Sequence, residues 1–338
     1  MELDVFNKGA IPLINHPDCS ALGYQVIREL GRNREEGRIT YLAHHHQSKQ
    51  QVVIKEFSFA HTYTDWFGFT AYESEAQILQ KLNHPRIPRY LDSFATQTAF
   101  YLVQEYKHAL PLSSKRSFQA EEIKQIAVSI LEILVYLQQR IDPIIHRDIK
   151  PENILVDDQL NAYLVDFGLA RVQDTKIALT SLLTGTPGFI PPEEQSGYSL
   201  SLASDLYSVG ATLACLLANI RSVDIGKLIN SKGYFDFQKL DSPIDLRFRS
   251  WLMGMVEPKW QYRYTNAADA LAALQPIQVT GNATAMEILA TVIKLKYQTT
   301  VLCLAIIGVL AVAGATLILS QQGGTAQQLQ EARKSEVL

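Results

Sequence analysis

The chain has 338 residues, a formal net charge of −3, 47% hydrophobic side chains and 19% charged ones. These proportions suit one large folded domain or two modest ones and lack the basic excess of a general nucleic-acid binder, so no nucleic-acid partner is expected. The three cysteines, Cys19, Cys215 and Cys303, lie far apart with no CxxC pair, a pattern that points away from a disulfide framework or a cysteine zinc site.

Residues 1–20 carry scattered Pro and Gly with little periodicity and read as an extended lead-in; they have no basic stretch ahead of an apolar core, as a secretory signal would. From Tyr24 the texture changes. YQVIREL, RITYLAHHH and QQVVIKEFSF are short β-rich runs separated by polar residues, as in successive antiparallel strands. In AYESEAQILQKL, Ala76, Leu79 and Leu82 recur at a spacing of three beside Ile78, which predicts a helix ended by HPRIP. RYLDSFATQ and AFYLVQEY add two more strands. Beyond Ser113 the long amphipathic AEEIKQIAVSILEILVYLQQR opens with acidic residues suited to a helix N-terminus. Two short β-like runs follow, NILVD and AYLVDFG, then a loop rich in Thr, Gly and Pro, then helices through Leu274. The order is α+β, strands first and helices after.

Val301 to Leu319 is a run without charge in which Thr316 is the only polar side chain. At helical rise it is about 28 Å long, near the thickness of a bilayer core, and predicts one transmembrane helix. Ala311 and Ala315 form a small-xxx-small pair on which such a helix could dimerise. Lys294 and Lys296 flank the run on its N-terminal side, which favours that side as cytoplasmic. The expected organisation is therefore a lead-in (1–20), a catalytic domain (21–275; small lobe 21–107, large lobe 113–275), a juxtamembrane segment (276–300), the span (301–319) and a polar tail (320–338).

HRDIKPEN at His146–Asn153, followed by VDFG at Val165–Gly168, resembles the catalytic motifs of protein kinases. LNHPRIPRYLDSF and LGRNR give the chain the texture of bacterial eukaryotic-like serine/threonine kinases, the cyanobacterial ones among them. The resemblance implies the two-lobed kinase fold, ATP with Mg²⁺ (Mn²⁺ as an alternative) as cofactors, and serine or threonine hydroxyls on proteins as acceptors. Phosphoryl transfer needs divalent metal to neutralise the triphosphate and a separate carboxylate at the attacking hydroxyl. By resemblance Asp148 takes the second role, Asn153 and Asp166 hold the metal, and Lys150 contacts the transferring phosphate.

Upstream, VVIK ends at Lys55, which matches the strand lysine holding the α- and β-phosphates. Its helix partner is Glu75, preferred on spacing to the competing Glu73. The phosphate-covering loop departs from the family pattern. Gly31 fits the first glycine, Asn33 replaces the second, and Gly37 with Ile39 fits the end after a one-residue insertion, with Glu35 and Glu36 adding negative charge. VQEY places Gln104 at the gatekeeper position and leaves Glu105 and Tyr106 to offer backbone hydrogen bonds to adenine.

GTPGFIPPEE resembles the segment that receives a protein substrate, with Thr186 beside the catalytic loop. Asp205 is expected to anchor that loop, and Glu193 to pair with Arg263. Arg147, immediately before Asp148, implies control by a phosphate on the activation segment, with Thr180, Ser181 and Thr184 as the best acceptors and Arg171 or Lys176 as second partners. The alternative to catalysis is a membrane-tethered pseudokinase scaffold.

Overall fold

The computed structural model describes residues 17, 19–33, 37–59, 66–114, 116–172, 186–240 and 244–279. Most of the expected lead-in, Glu35 and Glu36, the hydroxyls at 175, 180, 181 and 184, Lys176, and everything from 280 onward, including the expected span, lie outside the described residues. Among the described residues no single helix is long and apolar enough to cross a membrane.

The β-rich runs form one antiparallel five-stranded sheet: β1 (Tyr24–Asn33), β2 (Arg38–His45), β3 (Gln51–Ser58), β4 (Tyr90–Ala95) and β5 (Ala99–Glu105), in the order β1-β2-β3-β5-β4. Alternation sorts its side chains onto two faces. Val52 and Ile54 of β3, with Ala99, Tyr101 and Val103 of β5, pack against Tyr24, Tyr41 and Ala43 in a core of their own. The alternate residues Phe57, Phe100 and Leu102 belong instead to the main core, with Ala76, Leu79 and Leu82. Lys55 falls on this second face, two residues from Phe57, and so points toward the helix. That helix, α1 (Trp66–Gln80), begins before the expected Ala71, because the apolar stripe marks only its C-terminal half.

Past β6 (Leu110–Pro111) the chain turns helical. Helix α2 (Ala120–Gln138) is started by a capping box in which the Glu122 carboxylate accepts from the Gln119 N–H at 2.8 Å. It buries Ile123, Ile126, Ala127, Ile130, Leu131, Ile133, Leu134 and Leu137, the stripe that a 3.6-residue period places on one side. Against it pack α4 (Ser204–Leu217), which is buried along almost its whole length, and α6 (Ala267–Leu274); α5 (Leu246–Met255) packs on both α4 and α6. Two small sheets accompany this helical lobe. β6 pairs with β8 (Ile154–Val156) and β8 with β9 (Ala162–Leu164), while β7 (Ile144–Ile145) pairs with β10 (Arg171–Val172). These short pairs position the loops after β7, before β8 and after β9, where His146–Asn153 and Val165–Gly168 lie. A β-rich small lobe and a helical large lobe are thus both present.

Candidate active site

Lys55 sits in the middle of β3, opposite Thr40 of β2 and Leu102 of β5. Its ammonium lies 2.6 Å from Glu75 Oε1 and 3.2 Å from Asp166 Oδ1. The Glu75 side chain is wholly buried, and only a cation at this distance makes an ionised carboxylate tolerable there. Glu73, the competing partner, is exposed. One lysine thus joins the sheet, helix α1 and the loop after β9.

Asp166 holds a left-handed backbone (φ +70°), as does Arg147 (φ +71°), an uncommon conformation for residues with a Cβ. Burial alone would raise the Asp166 carboxyl, but the charges of Lys55 and Arg38 outweigh it and hold it well below the usual carboxylate range. Arg38 lies 2.7 Å from Asp166. It went unnoticed in the sequence although Gly37 and Ile39 on either side were singled out. The available signal was register: Thr40 faces Lys55, so Arg38, two residues before it, projects from the same face.

The phosphate-covering loop is a hairpin in which Asn33 pairs with Arg38 and Gly31 with Thr40, with strand irregularities between Glu29 and Gly31 and between Val26 and Arg28. Gly37 has φ +61°, a conformation that its missing Cβ permits without cost. Asn33 and Ile39 are ordinary strand residues at the two sides of the turn.

In the loop after β7, Asp148 Oδ2 accepts from Asn153 Nδ2 at 2.7 Å and lies 3.0 Å from Lys150 Nζ. Asn153 Nδ2 also reaches the Asp148 carbonyl at 2.8 Å. Among the described residues, Oδ1 of Asp148 has no partner, so one carboxylate oxygen is fixed while the other can receive a proton. Lys150 Nζ donates to Thr186 Oγ1 at 2.9 Å and so ties the catalytic loop to GTPGFIPPEE.

Asp205 organises this loop from below: Oδ2 accepts the His146 N–H at 2.8 Å and Oδ1 the Arg147 N–H at 2.9 Å. Burial nevertheless raises its pKa to about 6, the two backbone bonds pulling the other way. His146 has both ring nitrogens placed. Nδ1 faces the Asp148 N–H at 3.3 Å and Nε2 the Val165 carbonyl at 3.2 Å. One must accept and the other donate, which requires the neutral ring. Its burial lowers the pKa to about 4, in agreement.

Arg263 and Glu193 form a wholly buried two-point pair at 2.6 and 2.7 Å. The neighbouring carboxylate, Glu194, takes Arg147: Nε donates to its Oε1 at 2.8 Å and Nη2 reaches the same atom. Among the described residues the counter-charge to Arg147 is this carboxylate, and the hydroxyls on which a phosphate is expected lie outside the described residues. PPEE carried no sign of this in the sequence, because a second Glu beside Glu193 reads equally well as a solvated residue at a helix start.

At the lobe junction Gln104 is buried. The Glu105 N–H donates to the Arg89 carbonyl at 2.9 Å, so an adenine contact at this residue falls to its carbonyl rather than to its amide hydrogen. Its carboxylate pairs with Lys107 and Arg89, and Tyr106 is half-buried beside it.

The donor set suits Mg²⁺. It offers the ionised Asp166 carboxylate and, with Nδ2 of Asn153 committed to Asp148, the Asn153 amide oxygen. Among the described residues no cluster of three or more His, Cys, Asp or Glu is placed to hold a metal. A small hard cation held by one or two protein oxygens and completed by substrate phosphates fits such a sparse set.

Residues 24–250 match the protein kinase domain family. The chain belongs to the protein kinase family. It is 36% identical over 222 residues to serine/threonine-protein kinase B of Synechocystis sp., covering 60% of this chain and 37% of that protein. Identity to serine/threonine-protein kinase D of the same organism is 32% over 275 residues, 76% of this chain and 53% of the relative. Against serine/threonine-protein kinase PrkC of Bacillus subtilis it is 30% over 199 residues, 57% and 30% of the two chains. The kinase chain described here thus spans between about a third and about a half of the length of these curated relatives. The likeness is to bacterial eukaryotic-like kinases, cyanobacterial ones included.

Proposed function

We propose that this kinase transfers the γ-phosphoryl group of ATP to serine or threonine hydroxyls of proteins. The observation that carries the reading is the Asp148 carboxylate, with Oδ2 held by Lys150 and Asn153 and Oδ1 without a partner among the described residues. Mg²⁺ would neutralise charge on the triphosphate and its transition state. Lys55, held by Glu75, would take the α- and β-phosphates; Asp166 and the Asn153 oxygen would hold the cation. Asp148 orients the acceptor hydroxyl and receives its proton at Oδ1. Lys150, within reach of both Asp148 and Thr186, places positive charge beside the acceptor. The proton leaves the hydroxyl as the new P–O bond forms and the bond to the ADP leaving oxygen breaks. With Lys55, Glu75, Asp148, Asn153 and Asp166 all in register, a scaffold without transfer is not favoured.

The apolar run 301–319 supports membrane attachment by a single span with the catalytic domain on the cytoplasmic side, where ATP is available, and helix pairing through Ala311 and Ala315. The test is transfer of label from γ-labelled ATP by the detergent-solubilised full chain, with protein and small-molecule acceptors and phosphoamino-acid analysis. Label on Ser or Thr of the protein acceptor, lost in Asp148→Asn, is expected. Transfer to the small acceptors alone, or none above the variant, overturns the reading. Recovery of the full chain in a high-speed supernatant without detergent overturns the membrane proposal.

A further inference from the structure

Arg147 occupies a demanding position. Its backbone is left-handed, its N–H is fixed by Asp205, and the next residue is Asp148. Its side chain is about 1% exposed, and a guanidinium so far from water needs an anion. Glu194, 2% exposed, provides it: Nε and Nη2 of Arg147 both reach its Oε1, while Oε2 is buried with no hydrogen-bond partner among the described residues. Glu194 stands on the same short helix, α3 (Pro192–Gln195), as Glu193. Glu193 is bolted to Arg263 and accepts from Ser204 Oγ at 3.0 Å. The helix thus cannot shift without breaking one buried pair or the other, so the carboxylate on Arg147 is held by the fold itself.

We propose that Glu194 is a positioning residue for phosphoryl transfer: its carboxylate neutralises and clamps Arg147, setting the Asp148 backbone without any phosphate on the activation segment. The inference rests on the kinase reading above. An entering phosphate would have to displace a buried carboxylate from the Nε edge of Arg147 or lie beside it as a second anion, and like charges at that distance repel. On this reading the Asp148 backbone is set by the fold, and a phosphate on the activation segment is not needed to set it.

The experiment compares wild type before and after phosphatase treatment, Glu194→Gln, Arg147→Leu and the double variant Arg147→Leu/Glu194→Leu, all as full chain in detergent. Thermal unfolding is measured alongside. Phosphatase-treated wild type should keep its kcat. Glu194→Gln should lose about ten- to a hundred-fold in kcat with KM for ATP nearly unchanged, because the Lys55 site is untouched while Asp148 is released. The double variant removes both buried charges and keeps the fold if Glu194→Gln does not; its kcat should equal that of Arg147→Leu alone. Overturning results are loss of activity on phosphatase treatment, wild-type kcat in Glu194→Gln, or a further loss in the double variant. If wild type transfers no phosphate, the kinase reading falls and takes this one with it; if wild type is active and Glu194→Gln matches it, only this one falls.

Discussion

Replacing Arg263 with methionine removes the cation from a carboxylate that has almost no access to water: the two side chains are 0% and 2% exposed. Glu193 would keep only the Ser204 hydroxyl as donor. The carbonyls of Ala203, Glu257 and Pro258, which Arg263 also serves, would lose theirs, and Tyr207 would lose the guanidinium 5.1 Å from its ring. Deleting one member of a buried pair costs about 3–5 kcal/mol. For a domain of this size each kcal/mol moves Tm by about 2–4 °C, so Arg263→Met should melt roughly 10 °C below wild type. Arg263→Met/Glu193→Leu, which strands no charge, should recover much of that loss. Urea and thermal unfolding of wild type, Arg263→Met, Glu193→Leu and the double variant measure it. A loss below about 1 kcal/mol, the size expected of an exposed pair such as Arg32–Glu29, or a double variant as unstable as the sum of two singles, refutes the reasoning.

Asp148→Asn should lower kcat by at least about a hundred-fold while leaving nucleotide binding and the unfolding midpoint near wild type; a smaller loss in contaminant-free enzyme rules out its role as proton acceptor. Asp166→Asn should weaken binding of Mg²⁺–ATP far more than of metal-free ATP, as read by calorimetry, and equal effects on the two would deny it the cation. His146 titrates near 4 when folded against an ordinary 6.5, so its contribution to stability is present above 6.5 and is lost as pH falls toward 4. Asp205, raised to about 6, acts in the opposite direction, favouring the folded state as pH falls through 6. In His146→Gln only the Asp205 effect remains, and the variant should gain on wild type by on the order of 3 kcal/mol between pH 7 and 4; parallel stability curves would contradict this. Gly188→Ala should destabilise by about 2–3 kcal/mol, since a Cβ there meets Ile225 Cγ2 at 2.4 Å and φ is +88°. An unchanged melting curve would contradict it.

Short-range chemistry made much of this readable in advance. Lys55 and Glu75 were legible through their places in the motif order of the family that the chain resembles, while strand alternation and the apolar stripe gave only the elements that carry them. HRDIKPEN places Asp148, Lys150 and Asn153 within one turn of chain, too close for tertiary structure to separate. Contacts that depend on two distant segments meeting were not readable. Arg38 reaches Asp166 across 128 positions, and Arg147 meets Glu194 across 47. A Glu that ends on a guanidinium and one that ends in water have the same local sequence, and the difference lies only in where α3 docks.

The end of the described chain is fastened more firmly than its composition suggests. Val279 is fully buried, its carbonyl accepts the Asp245 N–H at 3.0 Å, and Lys124 of α2 donates to the carbonyls of Gln275 and Ile277. Whatever follows Val279 therefore leaves the domain from a point fixed against α2 and the start of α5. A pull on the chain beyond residue 279 would be met first by these buried anchors, before any helix of the large lobe could lengthen.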